Sequence, residues 1–182
     1  DEVEKALKEL EDDLRELKKR SEESLKNVEE EIKRAKKELD ESLDNLRKKI
    51  EELKRRLEKD GTNEDDLRRV LEELRKYLED VRRKLEEVLR KLRDYLRKHE
   101  EDLRRVEREL EKKLEDLERA GLPEEVLRKL ETIVRKIREE LDRSKKKLEK
   151  LIEEAKRELE RVLKEHEDLV KRVRDVLEDA RR

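Results

Sequence analysis

Apolar residues recur along this chain with a period of 18 positions. In the first third, four columns of the pattern hold Leu7, Leu10, Leu14 and Leu17, then Leu25, Val28, Ile32 and Ala35, then Leu43, Leu46, Ile50 and Leu53. Eighteen residues correspond to about five turns of an α-helix at 3.6 residues per turn, whereas a heptad repeat needs about 3.5. The pattern therefore predicts long, nearly straight helices that pack almost without supercoiling.

Two short segments interrupt this pattern, and both have the composition of loops. In the first, Gly61 is suited to end a helix in the left-handed conformation, and Thr62 or Asn63 is suited to cap the next one. In the second, Gly121 repeats that role and Pro123 is placed at the first helical position, where its missing N–H does no harm. One helix is expected to end and another to begin at each segment.

The interruptions divide the chain into three predicted helices, at about residues 2–60, 63–119 and 123–181. Loops this short force neighbouring helices to run antiparallel. The predicted fold class is all-α, with a single antiparallel up-down-up three-helix bundle as one domain over residues 1–182. Because the 18-residue spacing continues inside each helix, it indicates packing layers and not separate domains.

The composition indicates that the bundle is ordered and that the chain does not bind nucleic acid. Charged residues make up 62% of the 182 positions, yet the 31% apolar residues keep a helical register, and Glu, Lys and Arg are strong helix formers. The 55 basic and 57 acidic side chains are interspersed and give a net charge of −2. With no basic face and only 1% aromatic residues, nucleic-acid binding is not expected.

The apolar stretches are also too short for a membrane. The longest are pairs such as Val70-Leu71, whereas a membrane-spanning helix needs about 20 apolar residues. We therefore expect a soluble chain. We expect no targeting signal, and the absence of cysteine leaves the cellular compartment open.

These features together resemble de novo designed, parametrically generated, untwisted three-helix bundles with buried hydrogen-bond networks. The resemblance rests on the 18-residue layers, the Asp60-Gly61 and Gly121-Leu122-Pro123-Glu124-Glu125 loops and the Glu/Lys/Arg surface, and it extends over all 182 residues. Spectrin-like repeats are the nearest natural analogue, but they carry core tryptophans and this chain has none. The resemblance implies a structural scaffold without natural activity, cofactor or partner.

A few uncharged polar or aromatic residues fall on the core-facing columns, and the loops place them in common layers. Facing positions are expected to sum to about 124 between the first two helices and about 244 between the last two. One layer then contains Tyr77, Asn45 and His166, with Ser42 one turn away. A second layer contains His99, Ser24 and Ser144, with Ser21 adjacent, and a further pair contains Tyr95 and Asn27.

Such clustering has a physical purpose in a core of interchangeable leucines. A buried polar group without a partner costs about 1–3 kcal/mol, so mutually paired groups make every other alignment unfavourable. We interpret the ten polar-layer residues as structural, fixing helix order and axial register. In the alternative interpretation, the serines and asparagines lie at the core boundary and bond to water or to the backbone one turn back.

The sequence contains parts of a catalytic site but no complete one. His99 with Ser24 or Ser144 offers a base and a nucleophile, but no carboxylate on the core columns orients the imidazole and no glycine-built oxyanion site accompanies it. His99 and His166 fall in layers about 33 Å apart, too far to share a metal ion. We therefore expect neither an enzyme nor a metal site.

Two functional hypotheses remain. In the first, three apolar stripes close on one another and the chain is a self-contained, monomeric scaffold. In the second, part of the stripe stays open and binds a further helix in a groove, or a second copy of the chain. The molecular mass in solution distinguishes them.

Overall fold

The computed structural model describes residues 2–60 and 63–180, and over these ranges the chain forms three helices and no strand. The helices are α1 (Glu2–Asp60), α2 (Glu64–Arg119) and α3 (Glu124–Ala180). Their bounds lie within one residue of the predicted ones. Gly61 and Thr62, to which capping roles were assigned, lie outside the described residues.

Asn63 caps the start of α2. Its carbonyl accepts the first helical hydrogen bond, from the N–H of Leu67 at 3.1 Å, and its side-chain Oδ1 accepts from the N–H of Asp65 at 3.3 Å. Three acidic residues follow in the first turn, where negative charge is favoured by the helix dipole. Of the two predicted caps, the described one is therefore confirmed.

The second loop also follows its prediction, with one adjustment. Gly121 has a φ of 66°, the left-handed conformation that a side chain would disfavour, and its N–H donates to the carbonyl of Glu118 at 3.4 Å. The Pro123 carbonyl accepts from the N–H groups of Val126 and Leu127, both at 3.1 Å. Pro123 thus lies one residue before α3 and not at its first position.

The three helices pack as a bundle in which neighbours in the chain are antiparallel. Between α1 and α2, Glu31 pairs with Lys91 and Lys49 with Glu73, so residue numbers rise along one helix as they fall along the other. The apolar stripe of each helix faces inward, as its 3.6-residue spacing requires. The predicted fold class is confirmed.

Contacts group the chain into two compact units, each with a stretch of all three helices. The first unit comprises the described parts of Asp1–Glu30 with Leu92–Ile152, and the second comprises Glu31–Lys91 with the described parts of Glu153–Arg182. That residues 1–182 form one domain stays a prediction. Within the described ranges, no helix carries a stretch apolar enough to cross a membrane.

Each unit has its own apolar clusters. The first unit holds one cluster, formed by Leu10, Leu17, Leu103, Leu110, Leu130, Val134, Ile137 and Leu141. The second unit holds two, one around Ala35, Leu39, Val81, Leu85, Leu159 and Val162, and the other around Leu46, Ile50, Leu53, Leu74 and Val170. Leucines from all three helices interdigitate, and this burial is the main stabilising contribution in a helical bundle.

Candidate functional site

Buried polar side chains interrupt the apolar core in both units. They are Ser21, His99 and Ser144 in the first unit, and Ser42 and His166 in the second. All five are among the residues predicted to form polar layers. They are the only buried polar or charged side chains of the described residues, and the half-buried Tyr77 is hydrogen-bonded to one of them, Ser42.

In the first unit, Ser21, His99 and Ser144 form a hydrogen-bonded cluster with one member from each helix, here called the serine–histidine cluster. The Nε2 atom of His99 lies 2.8 Å from Oγ of Ser144, and Oγ of Ser144 is also hydrogen-bonded to Oγ of Ser21. The bonds can run in either direction, from Ser21 towards the imidazole or from the imidazole towards Ser21. In both arrangements all three groups are paired, as burial demands.

The surroundings of this cluster favour a neutral imidazole. Burial lowers the pKa of His99 below its ordinary value of 6.5, because a charged ring is poorly solvated there. The negative charges of Asp102 and Glu100 act in the opposite direction but do not cancel the effect of burial. The neutral ring can accept or donate at Nε2 and therefore fits either direction of the hydrogen-bond chain.

In the second unit, Tyr77 of α2 binds Ser42 of α1 through two hydrogen bonds. The phenolic O–H donates to the backbone carbonyl of Ser42 at 2.6 Å. The hydroxyl of Ser42 lies 2.9 Å from the same phenolic oxygen and, because the phenol proton is already engaged, donates to it. We call this arrangement the serine–tyrosine pair.

His166 is fully buried in the same unit but is bonded locally. Its Nδ1 lies 2.7 Å from the carbonyl of Val162, one turn earlier in α3, and since a carbonyl only accepts, Nδ1 carries the proton. The Nε2 atom is buried and has no hydrogen-bond partner among the described residues. His166 therefore makes no hydrogen bond to another helix in the part of the chain that the structure describes.

The remaining polar-layer residues are not drawn into these clusters. Ser24 is half-buried, Asn27 and Asn45 are exposed, and Tyr95 is 39% exposed. Among the described residues, none of the four side chains makes a hydrogen bond. In the part of the chain that the structure describes, these four side chains therefore lie outside the hydrogen-bonded clusters.

This placement has a geometric reason. Ser24 lies about 60° around α1 from Ser21, because three residues advance a helix by about 300°. That difference turns Ser21, not Ser24, towards α3. Asn27 and Asn45 each lie one position, or about 100°, from the buried Val28 and Leu46. The polar role proposed for these residues stays a prediction.

A column of ion pairs between α1 and α2 was missed by the sequence reasoning. Asp13, Glu31 and Lys49 are 18 residues apart, and each pairs with a charge on α2, namely Lys113 at 2.6 Å, Lys91 at 3.9 Å and Glu73 at 3.6 Å. The hydrogen bond to Asp13 raises the pKa of Lys113, although partial burial of the amine opposes it. The 18-residue repeat could have revealed this column, but in such a charged sequence it does not stand out.

The arrangement offers little to a reacting substrate. Ser144 is 2% exposed and Ser21 4% exposed, so neither hydroxyl faces solvent. Within the described ranges, no group of three or more His, Asp or Glu side chains could hold a metal ion. What the clusters do provide is directional bonding between helices, through all three helices in the first unit and between α1 and α2 in the second.

Comparison with known proteins supports the fold. The chain is similar to a solved structure described as a computationally designed three-helix bundle, with a TM-score of 0.70 and 22% sequence identity over 100% of this chain and 89% of that one. This similarity shows the three-helix fold. No protein-family model matches the sequence, and no curated protein is significantly similar to it.

Proposed function

We propose that the chain is a designed structural scaffold without a natural biochemical activity, and that its buried polar residues fix the axial register of the helices. The 18-residue layers, the near-absence of aromatic residues and the similarity to a designed bundle support the designed origin. The observation that carries the register role is the serine–histidine cluster, whose hydrogen bonds join all three helices in one layer.

A slip of α1 along the bundle axis would affect the polar cluster and the leucine columns differently. A shift of α1 by seven residues keeps most apolar positions opposite apolar ones, since seven residues are close to two helical turns. It would move Ser21 out of its layer and bring Val28 there instead. His99 and Ser144 would lose a partner, whereas the leucine columns would change little. The polar cluster therefore distinguishes registers that the leucines do not.

Cysteine cross-linking in the full chain tests this role, because the native sequence contains no cysteine. Asp13→Cys with Lys113→Cys reports the native register, since these side chains already form an ion pair. Arg20→Cys with Lys113→Cys reports a seven-residue slip. The background variant replaces the cluster with aliphatic residues through Ser21→Leu, His99→Val and Ser144→Val.

With the native cluster, we expect the native-register disulfide alone. In the aliphatic background, we expect the slipped disulfide to appear while the circular dichroism spectrum stays helical. If the aliphatic background forms only the native disulfide, the loops and leucines suffice and the register role is refuted.

We further propose that the scaffold is monomeric. Among the described residues, the only large apolar side chains that are exposed are Tyr95 and Val176. Two such residues, one in each unit, do not form the wide apolar stripe that a further helix would cover. Light scattering over a hundredfold concentration range is expected to give the mass of one chain, and a rise in mass would favour the second hypothesis, in which an open apolar stripe binds a second copy of the chain.

A further inference from the structure

The two sides of α1 face different helices, and ion pairs identify them in the second unit. Lys49 lies 3.6 Å from Glu73 of α2, and Lys36 lies 3.4 Å from Glu158 of α3. These two lysines are separated by about 140° around α1, at 100° per residue. Because an α-helix is right-handed, α1, α2 and α3 of this unit follow one another clockwise when viewed from the N-terminal end of α1.

A bundle of the opposite hand, with α1, α2 and α3 following one another anticlockwise, would bury nearly the same leucines. Exchanging α2 and α3 around α1 leaves the centre of each apolar stripe facing the bundle axis, so the column of Leu10, Val28 and Leu46 stays inside. Ser21 lies close to the centre of the α1 stripe, about 20° from this column. The core columns, and Ser21 within them, therefore discriminate poorly between the two hands.

The serine–tyrosine pair does discriminate between the hands. It lies away from the centre of the apolar stripes, on the flanks where α1 and α2 face each other. Ser42 is about 20° from Lys49 around α1, on the side that faces α2. On α2, Tyr77 is four residues from Glu73 and thus on the side that faces α1. With the opposite hand these two flanks would no longer face each other, and both hydroxyls would lose their partners.

The sequence places a second serine and a second tyrosine on the same flanks, although these two side chains form no hydrogen bond among the described residues. Ser24 and Tyr95 lie 18 residues from Ser42 and Tyr77, so they have the same angular positions on α1 and α2 in the first unit. The chain has two tyrosines, both on α2, and α3 has none. Helix α3 therefore has no equivalent of Tyr77 to offer Ser42.

We propose that the serine–tyrosine pair selects the hand of the three-helix turn. The pair does so by requiring the flank of α1 that carries Ser42 to face α2. This role is separate from the axial register assigned to the serine–histidine cluster, and either can fail without the other.

Two disulfide reporters in the full chain distinguish the hands. The first reporter combines Lys36→Cys with Glu158→Cys. Its disulfide can form only with the observed hand, since these residues share the flank between α1 and α3. Lys36→Cys with Glu86→Cys reports the opposite hand. Glu86 is exposed and lies one turn after Arg82, which pairs with Glu167 of α3, so it faces Lys36 only if α2 and α3 exchange places.

Each reporter is compared between the native background and the Tyr77→Phe variant, which removes one hydroxyl and keeps the ring. We expect the opposite-hand disulfide to rise at least about fivefold in the variant, the effect of losing a hydrogen bond worth about 1 kcal/mol. Tyr95→Phe is the matched control, because this phenol makes no hydrogen bond among the described residues, and it is expected to leave both yields unchanged.

Two results would overturn the proposal. One is an opposite-hand yield in Tyr77→Phe that equals the native value. The other is an equal rise in Tyr95→Phe, which would show that the hydroxyl bond to Ser42 is not the cause. A Ser21→Ala variant separates the two roles, since it disturbs the serine–histidine cluster and should leave the hand reporters unchanged.

Discussion

The serine–histidine cluster of the first unit has an aliphatic counterpart in the second. Moving 18 positions along each helix leads from its three members to Leu39, Val81 and Val162, which belong to an apolar cluster. The two layers are buried to the same degree, with exposures of 2–8% in the first and 2–9% in the second. The same position in the helical repeat thus accepts either hydrogen-bonded or aliphatic side chains.

The difference lies in how the two layers respond to change. An aliphatic layer is stabilised by burial and packing, which depend on volume and tolerate small rearrangements. A hydrogen-bonded layer depends on partners at given positions, and removing one partner leaves the others unsatisfied. The first layer is therefore expected to contribute mainly specificity and the second mainly stability.

Truncation in the aliphatic layer should give the largest effect. Leu39→Ala removes a side chain that is 2% exposed and is expected to lower the free energy of unfolding by about 2–5 kcal/mol, through lost burial and a cavity. Guanidinium denaturation measures this change. The exposed neighbour is the control, and Glu38→Ala should stay within about 0.5 kcal/mol. Equal effects of the two substitutions would contradict the aliphatic layer.

Removing one partner of the hydrogen-bonded layer should lower the free energy of unfolding by less than Leu39→Ala does. Replacing all three partners together should lower it by even less. Ser144→Val leaves His99 and Ser21 without their common partner and is expected to lower the free energy of unfolding by about 1–3 kcal/mol. The combined replacement Ser21→Leu, His99→Val and Ser144→Val copies the aliphatic layer and should restore or exceed the original stability. If the combined variant is the less stable one, the two layers are not equivalent.

Acid should weaken the chain through His99. Its pKa is lowered in the folded state, so below pH 6.5 the unfolded chain binds more protons than the folded one. The free energy of unfolding therefore falls as the pH drops from about 6.5 towards the folded-state pKa, by at most about 1.4 kcal/mol per pH unit. Denaturation curves between pH 7 and 5 measure this decline.

The control for this pH dependence is His99→Val, which matches Val81 of the aliphatic layer and keeps His166 in place. We expect the variant to lose less stability over the same pH interval. Parallel declines in the parent and the variant would show that the His99 imidazole is as well solvated in the folded chain as in the unfolded one.

The smallest effect is expected at the surface of the first unit. Asp13→Asn removes the charge that pairs with Lys113 at 2.6 Å, but both side chains are 40% or more exposed. Loss of this pair should lower the free energy of unfolding by about 0.2–1 kcal/mol, and added salt should reduce the difference. A larger loss, similar to that of Ser144→Val, would mean that the surface and the polar core contribute equally.

The ion pair also makes a pH prediction of opposite sign. The pKa of Lys113 is raised in the folded state, so the contribution of the pair is present below the ordinary lysine pKa of about 10.4 and is lost as the pH rises through the folded-state value. The difference between the parent and Asp13→Asn should therefore shrink at strongly alkaline pH.

Much of the fold followed from the order of residues alone. The 18-residue period and the residues around Gly121 predicted three helices to within one position of their observed ends. The same pattern placed Ser21, Ser42, His99, Ser144 and His166 on buried faces. Helix propensity, capping and periodicity are local properties, and they act on residues within a few turns of one another.

The pairing of polar side chains was beyond such reasoning. The short loops predict which residues of neighbouring helices lie at the same axial position, but only to within about one helical turn. Ser21 and Ser24 differ by about one turn along α1 and by about 60° around it. That angle decides which serine reaches Ser144. The backbone partners of Tyr77 and His166, at Ser42 and Val162, carry no sequence signal beyond their spacing.

The hand of the bundle was likewise open until the contacts between helices were known. The order of residues specifies three amphipathic helices, their ends and their inward faces, because these depend on periodicity along a single chain segment. The packing of the helices shows that Lys49 faces α2, that Lys36 faces α3 and that Tyr77 contacts Ser42. Both hands bury the same central columns, so the choice depends on side chains at the flanks, and their partners are known only once all three helices are packed together.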